Sequence, residues 1–297
     1  MLNEAGFIID DGVVGRLSDS VFHVTTTTGG APRVLHQMED YLQTEFPELK
    51  VWLTSTTEQW AVIALQGPKA RDALSPLVEG IDLSPGALPH MGLATGRICG
   101  VDARIFRVSF TGEAGFEVNV PPDHARAVWE RLWENVEKLG GCAYGTETMH
   151  VLRAEKGFII VGQETDGTVT PDDAGLTWAI GKAKRDFVGK RSLTRPDMLK
   201  ADRKQLVGLK TRDPATILEE GAQITADPNP AKGTPALGHV TSAYWSATLD
   251  RSIALALVAG GRARMRQTLN VPMPGGAIPV EVVSPVFLDP KGERLDG

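Results

Sequence analysis

Only two cysteines occur in the chain, Cys99 and Cys142, and they form no CxxC pair. They supply neither a disulfide framework nor a zinc site, and they read as buried reduced thiols. The six histidines are scattered singly with no two at metal-ligand spacing, so no metal site is expected. No window holds the roughly eighteen consecutive apolar residues of a membrane span, and no basic-then-apolar leader opens the chain. The expectation is a soluble, cytoplasmic protein without a membrane partner. Basic residues are outnumbered, 31 Lys and Arg against 37 Asp and Glu, for a net charge of −6. Counterion release at nucleic acid needs a concentrated basic face, so no nucleic-acid partner is expected either. A GxSxG elbow, a P-loop, an HExxH helix and a GxGxxG turn are all missing. Hydrolase, nucleotide-binding and zinc-peptidase chemistry thereby lose their usual sequence support.

What is present is an ordinary globular composition, 297 residues with 42% hydrophobic and 23% charged, enough for one large or two modest cores. Met1 to Gly6 run without a polar lead-in into Phe7-Ile8-Ile9, which reads as a strand, and the chain reads as beginning inside a larger fold. Residues 7–28 alternate like paired strands with a turn at Ser18-Asp19-Ser20. A helix follows from Pro32 through Leu42 and stops before Pro47. Residues 60–65 form a buried-type strand that breaks at Gln66-Gly67-Pro68 into a helix reaching Leu77. Residues 105–110 and 116–120 read as a hairpin around Thr111-Gly112-Glu113-Ala114-Gly115. Asp123 is placed to cap a helix whose apolar stripe runs from Ala125 to Leu139, and a further helix spans residues 146–156. The pattern to residue 195 implies an α+β domain with helices on an antiparallel sheet. Beyond a charged link, residues 204–292 hold short strands and Pro- and Gly-rich turns, the signature of a small all-β barrel or sandwich.

Three places carry candidate chemistry. Asp10-Asp11 follows an apolar stretch, and adjacent residues of a strand face opposite ways, so at most one of the two points inward. Either both acids end a strand in water, or one hydrogen-bonds an amine-bearing ligand and moves its proton. Glu155 ends an apolar helix face: it either pairs with Arg153 or Lys156 at the surface or accepts bidentately from the N–H edge of a heterocycle such as a pterin. Lys182-Ala183-Lys184-Arg185 is either a solvated charge run or a contact for an anionic tail.

Taken in order, Ala64-Leu65-Gln66-Gly67-Pro68-Lys69-Ala70, the hairpin from Ser109 to Val118, Leu152-Arg153-Ala154-Glu155-Lys156-Gly157, Asp186-Phe187-Val188-Gly189-Lys190 and Gly238-His239-Val240-Thr241-Ser242 resemble the motifs of the glycine-cleavage T-protein (aminomethyltransferase) family. The wording of residues 1–14, 25–30 and 162–167 looks closest to the C-terminal half of sarcosine oxidase α subunits. The resemblance implies a folate-binding, aminomethyltransferase-like α+β domain over residues 1–195, with an N-terminal part absent, and a C-terminal β-barrel over 204–292. It implies tetrahydrofolate as the cofactor and, as partners, the other subunits of such an oxidase. Flavin and NAD belong to a preceding region or to those subunits, so the chain reads as a fragment or a truncated product. By resemblance Asp10 falls on the catalytic aspartate, Glu155 on the pterin-binding glutamate and Lys184 on a folate-contacting arginine, with Asp11 beside the first. Phe110 stands where aminomethyltransferases usually carry a tyrosine, which points to the oxidase branch. A stand-alone aminomethyltransferase served by a lipoyl carrier and a non-catalytic folate-binding module remain as rivals.

Overall fold

The computed structural model describes residues 1–296. Contacts divide it into two compact units, Asp10–Gly145 with the chain from Lys291 onward, and Met1–Ile9 with Thr146–Pro290. The two units are interleaved in sequence, the chain passing from one to the other at Asp10, Thr146 and Lys291.

The first unit opens with a hairpin, β1 (Val14–Arg16) and β2 (Phe22–Val24), joined through the expected turn. Helix α1 (Ala31–Thr44) follows, with Pro32 in its first turn, where a missing N–H costs nothing. Strand β3 (Ala61–Gln66), helix α2 (Ala70–Leu74), β4 (Val78–Glu79), β5 (Leu93–Ile98), β6 (Val101–Phe106), β7 (Gly115–Val120) and helix α3 (Pro122–Lys138) complete it. The five longer-range strands form one antiparallel sheet in the order β3-β7-β6-β5-β4. Strand alternation sends Phe116, Val118 and Val120 to one face, where they bury against Ile63, Ile98 and Ile105 and against Val128 and Leu132 of α3. The other face receives the β1–β2 hairpin. A Cβ on Gly15 would lie 2.7 Å from Phe106 and 2.9 Å from Leu93, so only glycine lets the hairpin come this close.

Several local readings need correction. Phe7-Ile8-Ile9 is no strand: Ile8 makes a single bridge to Leu2, and its N–H bonds the Val169 carbonyl. Strand β6 starts and ends earlier than the alternation implied, because the Arg107 main chain exchanges hydrogen bonds with Met91 and Gly92 in place of continuing along β7. The hairpin connection is therefore residues 107–114. Asp123 makes no cap; Pro121 occupies that position and Asp123 lies in the first turn, favourable to the helix dipole. Both cysteines are exposed, Cys99 at a tight β5–β6 turn where it and Gly100 take φ of 51° and 77°.

In the second unit helix α4 (Thr146–Glu155) precedes β8 (Lys204–Thr211), β9 (Gln223–Ile224), β10 (Gly238–Ser246), β11 (Arg251–Ala259), β12 (Thr268–Met273) and β13 (Gly276–Val283). The sheet order is β12-β13-β8-β11-β10-β9, and paired bonds of 2.8 and 2.9 Å between Thr225 and Asn270 join its two ends into a barrel. Val207, Leu209, Ala254, Ala256, Val271 and Val280 fill the interior. Leu206, Ile253, Leu255 and Leu257 face outward and bury instead against Ile8, Ala154 and Ile159. Strand β11 is thus buried on both sides, which explains its unbroken apolar run and why residues 146–195 pack with the barrel. Among the described residues no helix is long and apolar enough to cross a membrane.

A bulge at Thr241 resets the register of β10 so that Ser242 faces α4. There it donates to the fully buried Glu164, whose carboxylate also takes the Arg153 guanidinium at 2.8 Å and the Ile160 N–H at 2.8 Å. Arg153 reaches Ser242 at 2.6 Å and the Phe158 carbonyl at 3.0 Å as well. Removing one partner of such a pair strands a buried charge. E164Q is therefore expected to lose about 3–5 kcal/mol in urea unfolding, and an apolar R153M/E164L double variant to lose far less than the sum of its single changes. A double-variant loss equal to the sum of the R153M and E164L losses would show the pair to be uncoupled.

Candidate functional site

Asp10 has no exposed surface, so the reading with both acids in water fails. Its Oδ1 accepts the N–H groups of Asp11 at 2.8 Å and Thr27 at 3.1 Å, and its Oδ2 accepts the Thr27 hydroxyl at 3.1 Å. The carboxylate lies against Gly30, the residue that starts α1, so closely that a Cβ there would stand 1.5 Å from Oδ2. The positive end of the helix dipole thereby adds to the donors that offset desolvation. Asp11 is only half-buried, and its carboxyl is held above the usual range, first by burial and then by the charge of Asp10. Thr27 and Gly30 were not read as site residues, because their role depends on a contact seventeen or more positions away in sequence.

Beyond the hairpin, the same unit displays a second carboxylate. Glu117 points away from the core, its neighbours on that face being Ala64 and Phe106 across the ladder and Asn119 along the strand. It is half-buried, and its side chain has no hydrogen bond or ion pair among the described residues. Desolvation raises its pKa, and its charge, after burial, raises that of Tyr144. Nearby Arg104 stacks on Trp60 at 4.0 Å and meets Nδ1 of His23 at 3.3 Å, tying the hairpin to this face. Phe110 is half-buried in the connection 107–114. Arg107 braces that connection from inside, donating to the carbonyls of Gly115 at 3.2 Å and Leu295 at 2.6 Å. The alternation of β7 could have singled out Glu117 as the one charged residue of a buried strand, but only the fold shows that nothing meets it.

Glu155 and Lys184 belong to the barrel unit. Glu155 is 2% exposed, and neither expected surface partner holds it: Arg153 pairs with Glu164, and Lys156 with Asp289 at 2.9 Å. Its Oε1 takes the Ser246 hydroxyl at 2.5 Å, which leaves acceptor capacity on the carboxylate. Lys184 is exposed, and the Lys190 ammonium holds its backbone carbonyl at 2.8 Å. The structure thus brings Asp10, Asp11 and Phe110 into one compact unit and Glu155 and Lys184 into the other.

Comparison with known proteins decides the family. The model of the GCVT N-terminal domain matches residues 1–184, and that of the glycine cleavage T-protein C-terminal barrel domain matches residues 204–289. The chain belongs to the glycine cleavage T-protein family. It is 48% identical over its whole length to the sarcosine oxidase subunit alpha of Corynebacterium sp. (strain P-1), and 38% identical over 99% of its length to that of Rhizobium meliloti (strain 1021). The chain spans 31% and 30% of those subunits, about a third of their length. An aminomethyltransferase of Thermotoga sp. (strain RQ2) is 31% identical over 94% of this chain and 71% of that enzyme. The glycine cleavage system aminomethyltransferase T from Bartonella henselae superposes with a TM-score of 0.80 at 25% identity, covering 97% of this chain and 74% of its own. The α+β sheet unit and the barrel are therefore the T-protein architecture, as the motifs implied.

A T-protein chain with an unmet carboxylate should show it in its pH dependence. Because the folded pKa of Glu117 is raised, the folded state holds the proton more tightly than the unfolded chain. Stability from this group is thus greatest below the ordinary glutamate value of 4.5 and is lost as pH rises through the folded pKa. E117Q is expected to be more stable than the wild type at pH 7, with the advantage vanishing below pH 4.5, in thermal melts across that range. A pH-independent difference would mean that Glu117 is solvated.

Proposed function

We propose that the chain binds tetrahydrofolate and serves one-carbon transfer, yielding 5,10-methylenetetrahydrofolate from the carbon released by sarcosine oxidation, within a larger sarcosine oxidase. The observation that carries this reading is the pair of carboxylates withdrawn from water in a T-protein fold, Asp10 saturated with donors and Glu117 with none. A bound folate supplies the two amine nitrogens that take up the carbon. A pterin edge presents adjacent N–H donors, which is what an unmet, half-buried carboxylate lacks, so the residues present suit the ligand.

Asp10 is assigned the catalytic role. Its fixed negative charge stabilises positive charge developing on the transferred carbon and nitrogens, an effect that is large where water is excluded. It can also hold a proton passing to or from those nitrogens. Asp11 beside it has its carboxyl pKa raised by burial and then by the Asp10 charge, a direction that suits it to take up and return that proton. Glu155, with its free acceptor capacity, is the residue the family motif puts at the pterin, and Glu117 is the one its electrostatics favour. Phe110 offers an apolar wall to the ring, and Lys184 an exposed charge for an anionic tail. Redox steps are assigned to flavin and NAD bound outside this chain, with the other oxidase subunits as partners.

Calorimetry with tetrahydrofolate separates the two glutamates. Loss of the pterin acceptor should cost about 2–4 kcal/mol of binding, whereas the other Glu→Gln change should leave affinity nearly unaltered. D10N should retain binding and, in the complete oxidase, still consume sarcosine but release formaldehyde in place of methylenetetrahydrofolate. Absence of saturable tetrahydrofolate binding would remove folate from the reading, and unchanged affinity in both E117Q and E155Q would mean that neither carboxylate meets the pterin. Activity with a lipoyl-bearing carrier, or binding without turnover in the whole oxidase, would replace it by the aminomethyltransferase or the binding-module reading.

The Lys184 contact is expected to be weak, about 1 kcal/mol at low ionic strength, because an exposed ion pair is screened. K184A and wild type should converge in folate affinity as salt is raised. A deficit that persists at high salt would assign Lys184 a different role.

A further inference from the structure

The outer face of the barrel concentrates a charge that the folate reading does not use. Lys210 near the end of β8, Arg212 just after it, Arg251 at the start of β11 and Arg266 before β12 line a cleft of about 470 Å³, with Glu281 of β13 as its one carboxylate. Four cations converge here on a chain whose net charge is −6. Cross-strand pairing sets Glu281 opposite Lys210, so the one carboxylate can offset one of the four charges. Three guanidinium groups remain. Arg251 is held in place by donating to the carbonyls of Thr211 at 2.8 Å and Ser252 at 3.3 Å. The side chains of Arg212 and Arg266 have no hydrogen bond or ion pair among the described residues, and the neighbouring Asp213 is taken up by Thr216 and by the Ala215 N–H. Arg266 moreover holds a left-handed backbone, φ 68°, which costs an arginine more than the glycine or asparagine that such turns favour.

We propose that this cleft binds the phosphoryl group of a small molecule. A tetrahedral dianion can use several guanidinium forks at once, and three uncompensated arginines exceed what a single carboxylate would satisfy. The volume lies in the range of small-ligand sites rather than of a protein interface. Next to it, Arg212 and Pro279 also border a mostly apolar hollow with Ala277 and Ile278, whose polar edge is Asp213 bonded to Thr216, a shelf for the organic part of a phosphomonoester.

The test is isothermal titration of the full chain with inorganic phosphate and with adenosine monophosphate, chloride being adjusted to hold ionic strength constant. Saturable one-site binding is expected, weakened about tenfold in each of R212Q and R266Q, since each removes a charge-assisted donor pair. R262Q, which breaks the surface pair with Asp172 outside the cleft, should bind as the wild type does. Phosphate alone saturating would mark the free ion as the ligand, and tighter binding of the nucleotide a phosphomonoester using the shelf; both support the proposal. Heat that vanishes at matched ionic strength, or equal losses in R262Q and R266Q, would overturn it. Saturation by an oligoglutamate peptide with none by either phosphate would overturn it in favour of an acidic protein segment.

Discussion

A carboxylate taken out of water must be given donors or lose its charge, and this constraint organises the molecule. Glu164 is met by Arg153 and Ser242, Asp173 by Arg203 at 2.5 Å, Glu155 by Ser246, and Asp10 by Thr27 and the start of α1. In each case the donor comes from a distant stretch of chain, so the carboxylate acts as a clasp between segments. Glu117 is the exception. It is half-buried, has no donor among the described residues, and desolvation raises its pKa.

The same clasps explain why the packing units cut across the sequence. The bulge at Thr241 turns Ser242 toward Arg153, which fastens α4 to the outside of the barrel, and β11 can then be apolar on both faces. Thr27 and Gly30 do the corresponding work for Asp10, clamping the chain before the β1–β2 hairpin to the N-terminus of α1. The hairpin in turn lies on the sheet face that bears Glu117, held there by Gly15 against Phe106 and by His23 against Arg104. A charged group on that face is therefore shielded by an element whose own position depends on the Asp10 clasp.

Membership of the T-protein family gives these features a chemical setting without assigning them. Its relatives include sarcosine oxidase α subunits of which this chain spans about a third, and aminomethyltransferases of which it spans about seven-tenths. Both groups align over nearly the whole chain, so they share the segments that form the sheet unit and the barrel.

The amino-acid sequence alone determined the elements with strong local signals. Helix α3 follows from its apolar stripe, α1 from Pro32 and its spacing, and the β1–β2 turn from Ser18-Asp19-Ser20. The motif order pointed to the family and to the acidic pair at Asp10. Three things were decided only by tertiary structure. Which acid of the pair is buried depends on Thr27 and Gly30, whose approach no local pattern encodes. Whether Glu155 is a surface ion-pair partner depends on Glu164 and Asp289 having already claimed its neighbours. And the sequence marks Glu117 only as the one charged residue of β7, not as one that lacks a partner. Its isolation is a property of the space around it, since burial and hydrogen bonding are set by what arrives from elsewhere in the chain.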